Sequence, residues 1–274
     1  VTTWRHNISW SKMKLAVECP RQLQHTIDKT PASYSGSNYH RELGIVSQYC
    51  WEMYFNQKVN LRGEAARTEQ TILNVLAKVK TSPWYALRAI VPPFGLTMDD
   101  FDRELKEQMV GGRKVLHAAG LLDKPLRSEQ KYVGRFRDIG LFAVIDFINE
   151  EGQSVGIFDG KGHQKKNADP NQVKHYALTV ASTGKTVARG ALLYWRFGEE
   201  GYVDVPVQPK DLKQFVEEVL ETAAPTIKAL KDGVQLLPTK PGNHCFFCDW
   251  KNTCEDSTTR KDPVEITAIT TIDL

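Results

Sequence analysis

Two aspartates and a lysine are spaced for phosphoryl chemistry. Asp146 closes the apolar run Leu141-Phe142-Ala143-Val144-Ile145, and thirteen residues on, Asp159-Gly160-Lys161 follows Val155-Gly156-Ile157-Phe158. Glu150-Glu151-Gly152-Gln153 between them reads as a turn, which makes the two runs adjacent strands and brings the carboxylates to neighbouring positions. Period-two alternation puts Asp159 and Lys161 on one face. Hard divalent cations prefer carboxylate oxygens; they can hold a scissile phosphate, make hydroxide available near neutral pH and stabilise the leaving oxygen. A lysine ammonium adds a compact positive charge beside the attacking water or the phosphorane. Gln172 and Tyr176, four residues apart on one helical face, could orient substrate or supporting groups. An Asp-x-Lys triplet by itself is most often solvated surface charge. Here the apolar context makes each charge costly unless it has a metal or charged partner.

Sulfur supplies the second set. The chain has five cysteines, Cys19, Cys50, Cys245, Cys248 and Cys254, an odd number that argues against a disulfide framework. Cys245, Cys248 and Cys254 follow a C-x2-C-x5-C pattern. Three thiolates cover one face of a metal centre, and both zinc and an iron–sulfur cubane take a fourth ligand. Cys19, followed by Pro20, is the candidate, although a lone cysteine equally suits a small buried apolar position. Spacing does not separate zinc from iron–sulfur. Either centre would staple the N-terminal helix to the C-terminal loop, with Phe246, Phe247 and Trp250 shielding it. Cys50 is left for the core.

Basic residues gather near the acidic–lysine set: His163, Lys165, Lys166, Lys174 and His175, with Arg135 and Arg137 on the preceding strand. They would supply sequence-independent phosphate affinity, or Lys165-Lys166 is simply a solvated loop. Gly160 and Gly162 allow close backbone approach. Tyr34, Tyr39 and Trp51 are candidates to stack exposed bases.

The elements that must position these groups follow from pattern. Helix is expected over 9–28, broken where Pro20 follows Cys19, then a loop at 30–40 and a helix from Arg41 to about Gln57. Two or three helices fill 64–122, the last capped near Thr97. From about residue 129 strands are expected at 131–134, 140–149 and 154–159, then a helix at 170–182. Strands at 190–197 and 201–206 precede one long helix from Pro209 to about Lys231. A chain of 274 residues with 41% hydrophobic and 25% charged residues is globular rather than disordered or fibrous. No apolar run reaches the roughly 18 residues of a membrane span. The net charge of +3 permits a nucleic-acid partner without demanding one.

Residues 9–20, Ala143 to Phe147, Phe158 to Gly162, Gln172 to Tyr176 and the cysteine triplet together resemble the RecB-type branch of the PD-(D/E)XK nuclease superfamily. The resemblance is closest to the iron–sulfur exonucleases of the CRISPR-associated, phage-encoded and AddB nuclease-domain type. It implies an α/β fold, a restriction-endonuclease-like mixed sheet flanked by helices, with a helical insertion and an iron–sulfur-bound C-terminal loop. One domain would span 1–274: N-terminal helices at 1–60, insertion at 61–128, nuclease core at 129–208, helix and cysteine cluster at 209–256, and tail beyond. By analogy Asp146 and Asp159 bind Mg²⁺ or Mn²⁺, Lys161 is the catalytic lysine, and Gln172 and Tyr176 form the trailing motif. Cys19, Cys245, Cys248 and Cys254 would hold a [4Fe–4S] cluster. One position departs: the family's histidine ligand, four residues beyond a glycine, is replaced here by Gln48 after Gly44, a weaker uncharged ligand, unless His40 substitutes in another register. The implied activity is metal-dependent exonucleolytic cleavage of single-stranded or frayed DNA ends, as in DNA repair. It would occur in the cytoplasm of a prokaryotic or phage-infected cell, by a homo-oligomer or within a processing complex. The alternatives are a DNA-binding or processing subunit with a weakened site, and a zinc-stabilised interaction module.

Overall fold

The structure, a computed structural model, describes residues 7–30, 39–60, 69–88, 97–122, 124–162 and 166–257. They fall into two compact units, Val1–Met13 with Ser37–Ala224, and Lys14–Gly36 with Pro225–Leu274. Lys165, His163 and Tyr34 lie outside the described residues.

The larger unit is built on a six-stranded mixed sheet. Its strands are β1 (Asn7–Ile8), β2 (Leu126–Phe136), β3 (Ile139–Glu151), β4 (Ser154–Lys161), β5 (Thr186–Tyr194) and β6 (Tyr202–Asp204). The order is β1-β3-β4-β5-β6, with β2 also paired to β3. β1–β3 and β4–β5 are parallel, and the other pairs are antiparallel. The expected β3–β4 hairpin is present, with Phe147 opposite Phe158.

Helices cover both faces. α3 (Tyr39–Asn60), α4 (Glu69–Lys80), α5 (Pro83–Arg88) and α6 (Met98–Ala118) share one core with Phe147, Phe158, Leu193 and Trp195. α7 (Asn171–Ala181) shares the other with Ala143, Ile145, Ile157 and Val205. α6 starts where the sequence places a cap: Thr97 Oγ1 accepts from the Asp100 N–H at 3.2 Å, and Asp100 Oδ2 accepts from the Thr97 N–H at 2.7 Å. Gly111 and Gly112 let α6 approach the 3₁₀ turn after β5. A Cβ on Gly111 would lie 2.0 Å from the Trp195 carbonyl oxygen, and one on Gly112 would lie 2.3 Å from the Trp51 ring. Trp195, expected in a strand, is instead the first residue of that turn, and its indole packs 5.0 Å from Trp51.

His175 on α7 is fully buried, with Nε2 3.1 Å from the Phe142 carbonyl oxygen. Nε2–H therefore donates, and burial pulls the pKa down to about 4. A buried histidine held neutral makes the folded state reluctant to take a proton that the unfolded chain accepts near 6.5. Stability is therefore unaffected above pH 6.5 and falls as pH drops from 6.5 towards 4, by about 3 kcal/mol. Urea midpoints measured across that window should slope upward with pH in the wild type, and much less in His175→Gln.

The smaller unit joins two distant stretches of chain. Helix α1 (Trp10–Glu18) ends at Cys19, and α2 (Pro20–Asp28) begins at Pro20, as the sequence suggested. Gln24 of α2 brackets the returning chain: its amide nitrogen donates to the Gln235 carbonyl at 2.9 Å, and its oxygen accepts from the Leu237 N–H at 2.8 Å. The Arg21 N–H donates to the Pro238 carbonyl, Lys240 Nζ to the Val17 carbonyl and Trp250 Nε1 to the Thr30 carbonyl. The helix expected over 209–231 divides into α8 (Pro209–Phe215), a π turn at Val216–Leu220 and α9 (Glu221–Lys231), whose Pro225 withholds the N–H that a continuous ladder needs.

Candidate active site

Asp146 occupies a gap in the sheet. The β2–β3 ladder pairs Ser128 with Phe147 and Gln130 with Ile145 but skips the step between, where Glu129 faces Asp146. The β3–β4 ladder stops at Phe147–Phe158, one step short of Asp146 and Asp159. Glu129 adopts φ 51°, left-handed backbone that is uncommon for a residue with a side chain. Side-chain alternation also changes phase here: Ile145 joins the α7-side core, and Phe147 joins the core of α3 and α6. Asp146 is thereby released from the ladder into a cavity of about 840 Å³ beside α3.

That cavity is lined by Gln48, Glu52, Glu129, Asp146, Gly160 and Lys161, among others. Asp146 Oδ2 accepts from the Gly160 N–H at 2.9 Å. Burial and the nearby Asp159 push the Asp146 carboxyl well up, against the opposing pull of Lys161. Glu129 is also pushed up by burial, with Gln48 and Lys131 acting the other way, and Glu52 is raised by burial and by Glu129. Three carboxyls thus line one cavity with the Lys161 ammonium and the Arg41 guanidinium. This donor set suits a hard divalent cation, which would offset their repulsion.

Lys161 and Asp159 share a face, as alternation required. Asp159 is fully buried behind the lining, 2.5 Å from Lys161 Nζ. Lys161 Nζ donates to Gln172 Oε1 at 2.9 Å, and Gln172 Nε2 donates to the Tyr176 hydroxyl at 2.7 Å. Burial would lower the Lys161 pKa, but Asp159 and Asp146 raise it further and keep the ammonium charged. Burial and Asp159 push the Tyr176 hydroxyl up, so it stays a neutral partner. Gln172 and Tyr176 therefore position Lys161.

The other expected residues are placed differently. Gln48 lines the cavity, and its Nε2 donates to Glu129 Oε1 at 3.0 Å. Exposed His40 lines it too. Arg135 and Arg137 sit at the far end of the β2–β3 hairpin, roughly 20 Å along the strand from Asp146. Arg135 pairs with Asp138, and Arg137 with Glu221 at 3.1 Å. Lys166 donates to the Glu200 carbonyl and lies over the Phe197 ring, and Lys174 is half-buried on α7. The structure does not bring these four basic residues to the cavity wall. One expectation is corrected. Tyr39 and Trp51 are buried in the core of α3 and α6, at 7% and 0% exposure, and present no face to a base. Gly160 and Gly162 both line the cavity, and the side where a Cβ would stand is filled, since added Cβ atoms would lie 2.5 Å from the Trp195 ring and 2.8 Å from Gln108 Oε1.

A model of the PD-(D/E)XK nuclease superfamily matches residues 7–255. The chain belongs to that superfamily. No curated protein matches it. Membership implies a metal-dependent nuclease that binds DNA, and the mixed sheet flanked by helices seen here agrees with it. Among the described residues no helix is long and apolar enough to cross a membrane. Also among them, no group of three or more His, Cys, Asp or Glu side chains stands in a finished metal-holding arrangement.

Glu129 is the site residue that sequence reasoning missed. Ser128-Glu129-Gln130 reads as an unremarkable polar strand start, and only the skipped ladder step turns its carboxylate towards Asp146. Glu129→Gln is expected to weaken divalent-cation affinity by about 10-fold. The half-saturating Mn²⁺ in a binding titration should move up by that factor, with the fold unchanged by circular dichroism.

Proposed function

We propose that this protein is a metal-dependent exonuclease of the RecB-like, iron–sulfur type, acting on single-stranded or frayed DNA ends. The observation that carries the reading is the chain of contacts from Tyr176 through Gln172 to Lys161 and Asp159, ending beside Asp146 in an open acidic cavity. Asp146 and Asp159, with Gln48 and Glu129 beside them, would hold Mg²⁺ or Mn²⁺, which supplies a Lewis acid and a low-pKa water when bound. Two of the three N–H groups of Lys161 are taken by Asp159 and Gln172, and the third is available to a phosphate oxygen in the cavity that it lines. Held charged, it favours the extra negative charge that develops on the phosphoryl group.

The four cysteines Cys19, Cys245, Cys248 and Cys254 would hold the [4Fe–4S] cluster, with zinc as the competing ion. All four lie in the smaller unit. Burial raises the Cys248 thiol, and Cys19, Cys245 and Cys254 push it the same way by charge, with a backbone hydrogen bond from Trp250 acting against them. Four thiols are the ligand chemistry of a Cys₄ centre of either kind.

The second reading, a DNA-binding subunit with a weakened site, draws on Gln48, which gives its amide N–H to Glu129 where a stronger ligand is expected. A cleavage assay separates the two. Internally labelled linear and circular single strands, and a blunt duplex, are incubated with Mg²⁺ or Mn²⁺. Shortening of the linear single strand alone supports the exonuclease. Cutting of circles makes it an endonuclease, and intact DNA at every metal concentration selects the binding subunit.

A further inference from the structure

We infer that Tyr49 and Trp84 form a stacking platform for an unpaired nucleobase at the rim of the catalytic cavity, an assignment that rests on the nuclease reading of that cavity. α3 presents two neighbouring rows at four-residue spacing to this space. His40, Gly44, Gln48 and Glu52 form the row beside Glu129; Arg41, Ile45 and Tyr49 form the other. Trp84, near the start of α5, meets the second row, its ring centroid 4.7 Å from that of Tyr49 at 48°. Both rings line the same cavity as Asp146, Gly160 and Lys161.

Exposure distinguishes Tyr49 from the other rings of α3, while Trp84 is half-buried against the core. Tyr49 is 38% exposed, whereas Trp51, Tyr54 and Phe55 on the same helix are at most 3% exposed. An aromatic ring held at the mouth of a polar cavity, braced by a second ring, offers a flat apolar face that water solvates poorly. The face of a base is a natural occupant, because every base has one and stacking on aromatic side chains is sequence-tolerant. In a duplex both faces are already covered by neighbouring bases. The platform therefore selects nucleotides that have left the stack, and Arg41 on the same row places positive charge near the accompanying backbone.

The test compares binding of labelled oligothymidylate and of an abasic strand of equal length, by fluorescence anisotropy in Ca²⁺. The wild type should bind oligothymidylate at least about tenfold more tightly than the abasic strand. Tyr49→Ala and Trp84→Ala should each remove most of that difference and leave abasic binding unchanged, while Tyr49→Phe keeps it. Should Trp84→Ala unfold α5, the exposed Tyr49 pair of variants decides alone. Equal wild-type affinity for both strands, or equal weakening of both by Tyr49→Ala, overturns the platform. If that happens in a protein that still shortens DNA, the nuclease reading stands. A preserved base contrast in a protein that cleaves nothing supports the platform and counts against the nuclease.

Discussion

Asp146→Asn should abolish cleavage and at the same time make the metal-free protein harder to unfold. The asparagine oxygen can still accept the Gly160 N–H, which now meets Asp146 Oδ2 at 2.9 Å. What disappears is one of the carboxylates crowded between Glu129 and Asp159, whose neighbours and burial push the Asp146 carboxyl up. Cleavage should fall on the order of 10³-fold, as when a preorganised charge is taken from a phosphoryl site. Stability without metal should rise by about 1 kcal/mol, which for a chain of this size moves the melting midpoint by about 2–4 °C. Lys161→Met is the informative contrast. It should lose as much activity but destabilise the fold by about 3 kcal/mol, because it removes the ammonium lying 2.5 Å from fully buried Asp159. Activity assays and melting curves on the two variants therefore move together in one measurement and apart in the other. Asp146→Asn lowering the metal-free midpoint would show that the carboxylates do not repel one another as described.

Stripping metal from the smaller unit should be the largest stability change of all. If Cys19, Cys245, Cys248 and Cys254 hold a cluster, its binding is folding energy for a unit whose described part is a few short helical segments and a returning loop. Anaerobically purified protein should be brown, with broad visible absorption, and contain iron. Oxidative removal of the cluster, or Cys254→Ser, should lower the unfolding midpoint by more than about 10 °C. Cys50 provides the control. It is fully buried, and burial pushes its thiol up to about 12, so it should stay unreactive to thiol reagents, and Cys50→Ala should leave metal content unchanged. Colourless protein holding stoichiometric zinc would replace the cluster with a Cys₄ zinc centre. Protein free of both metals would remove the staple altogether.

Much of this arrangement is local in origin and therefore legible in sequence. Pro20 cannot donate to a helical ladder, so α1 and α2 separate at Cys19. Thr97 and Asp100 write the start of α6 in their own side chains. The turn signal between two apolar runs brings Asp146 and Asp159 onto adjacent strands, and alternation puts Lys161 with Asp159. The turn itself is only Gly152-Gln153, with Glu150 and Glu151 paired in the ladder. The remainder depends on tertiary contact. Glu129 takes left-handed backbone because a ladder step is skipped, and no residue type there announces it. Tyr39, Tyr49 and Trp51 lie on one helix, and α6 and the sheet decide which is covered. Trp195 continues a strand-like apolar run, but the glycines of α6 give its ring a place to turn.

The smaller unit has a consequence for synthesis on the ribosome. Its two stretches are separated by residues 37–224, so α2 emerges long before the segment from Val234 to Pro238 that its Gln24 and Arg21 grip. At roughly 5–20 residues per second, the early helices wait about 10–40 s for their partner. During that interval the larger unit, apart from its β1 segment, is contiguous and can collapse alone. If the four thiols take a metal, its loading must come last, after Cys254 has cleared the exit tunnel.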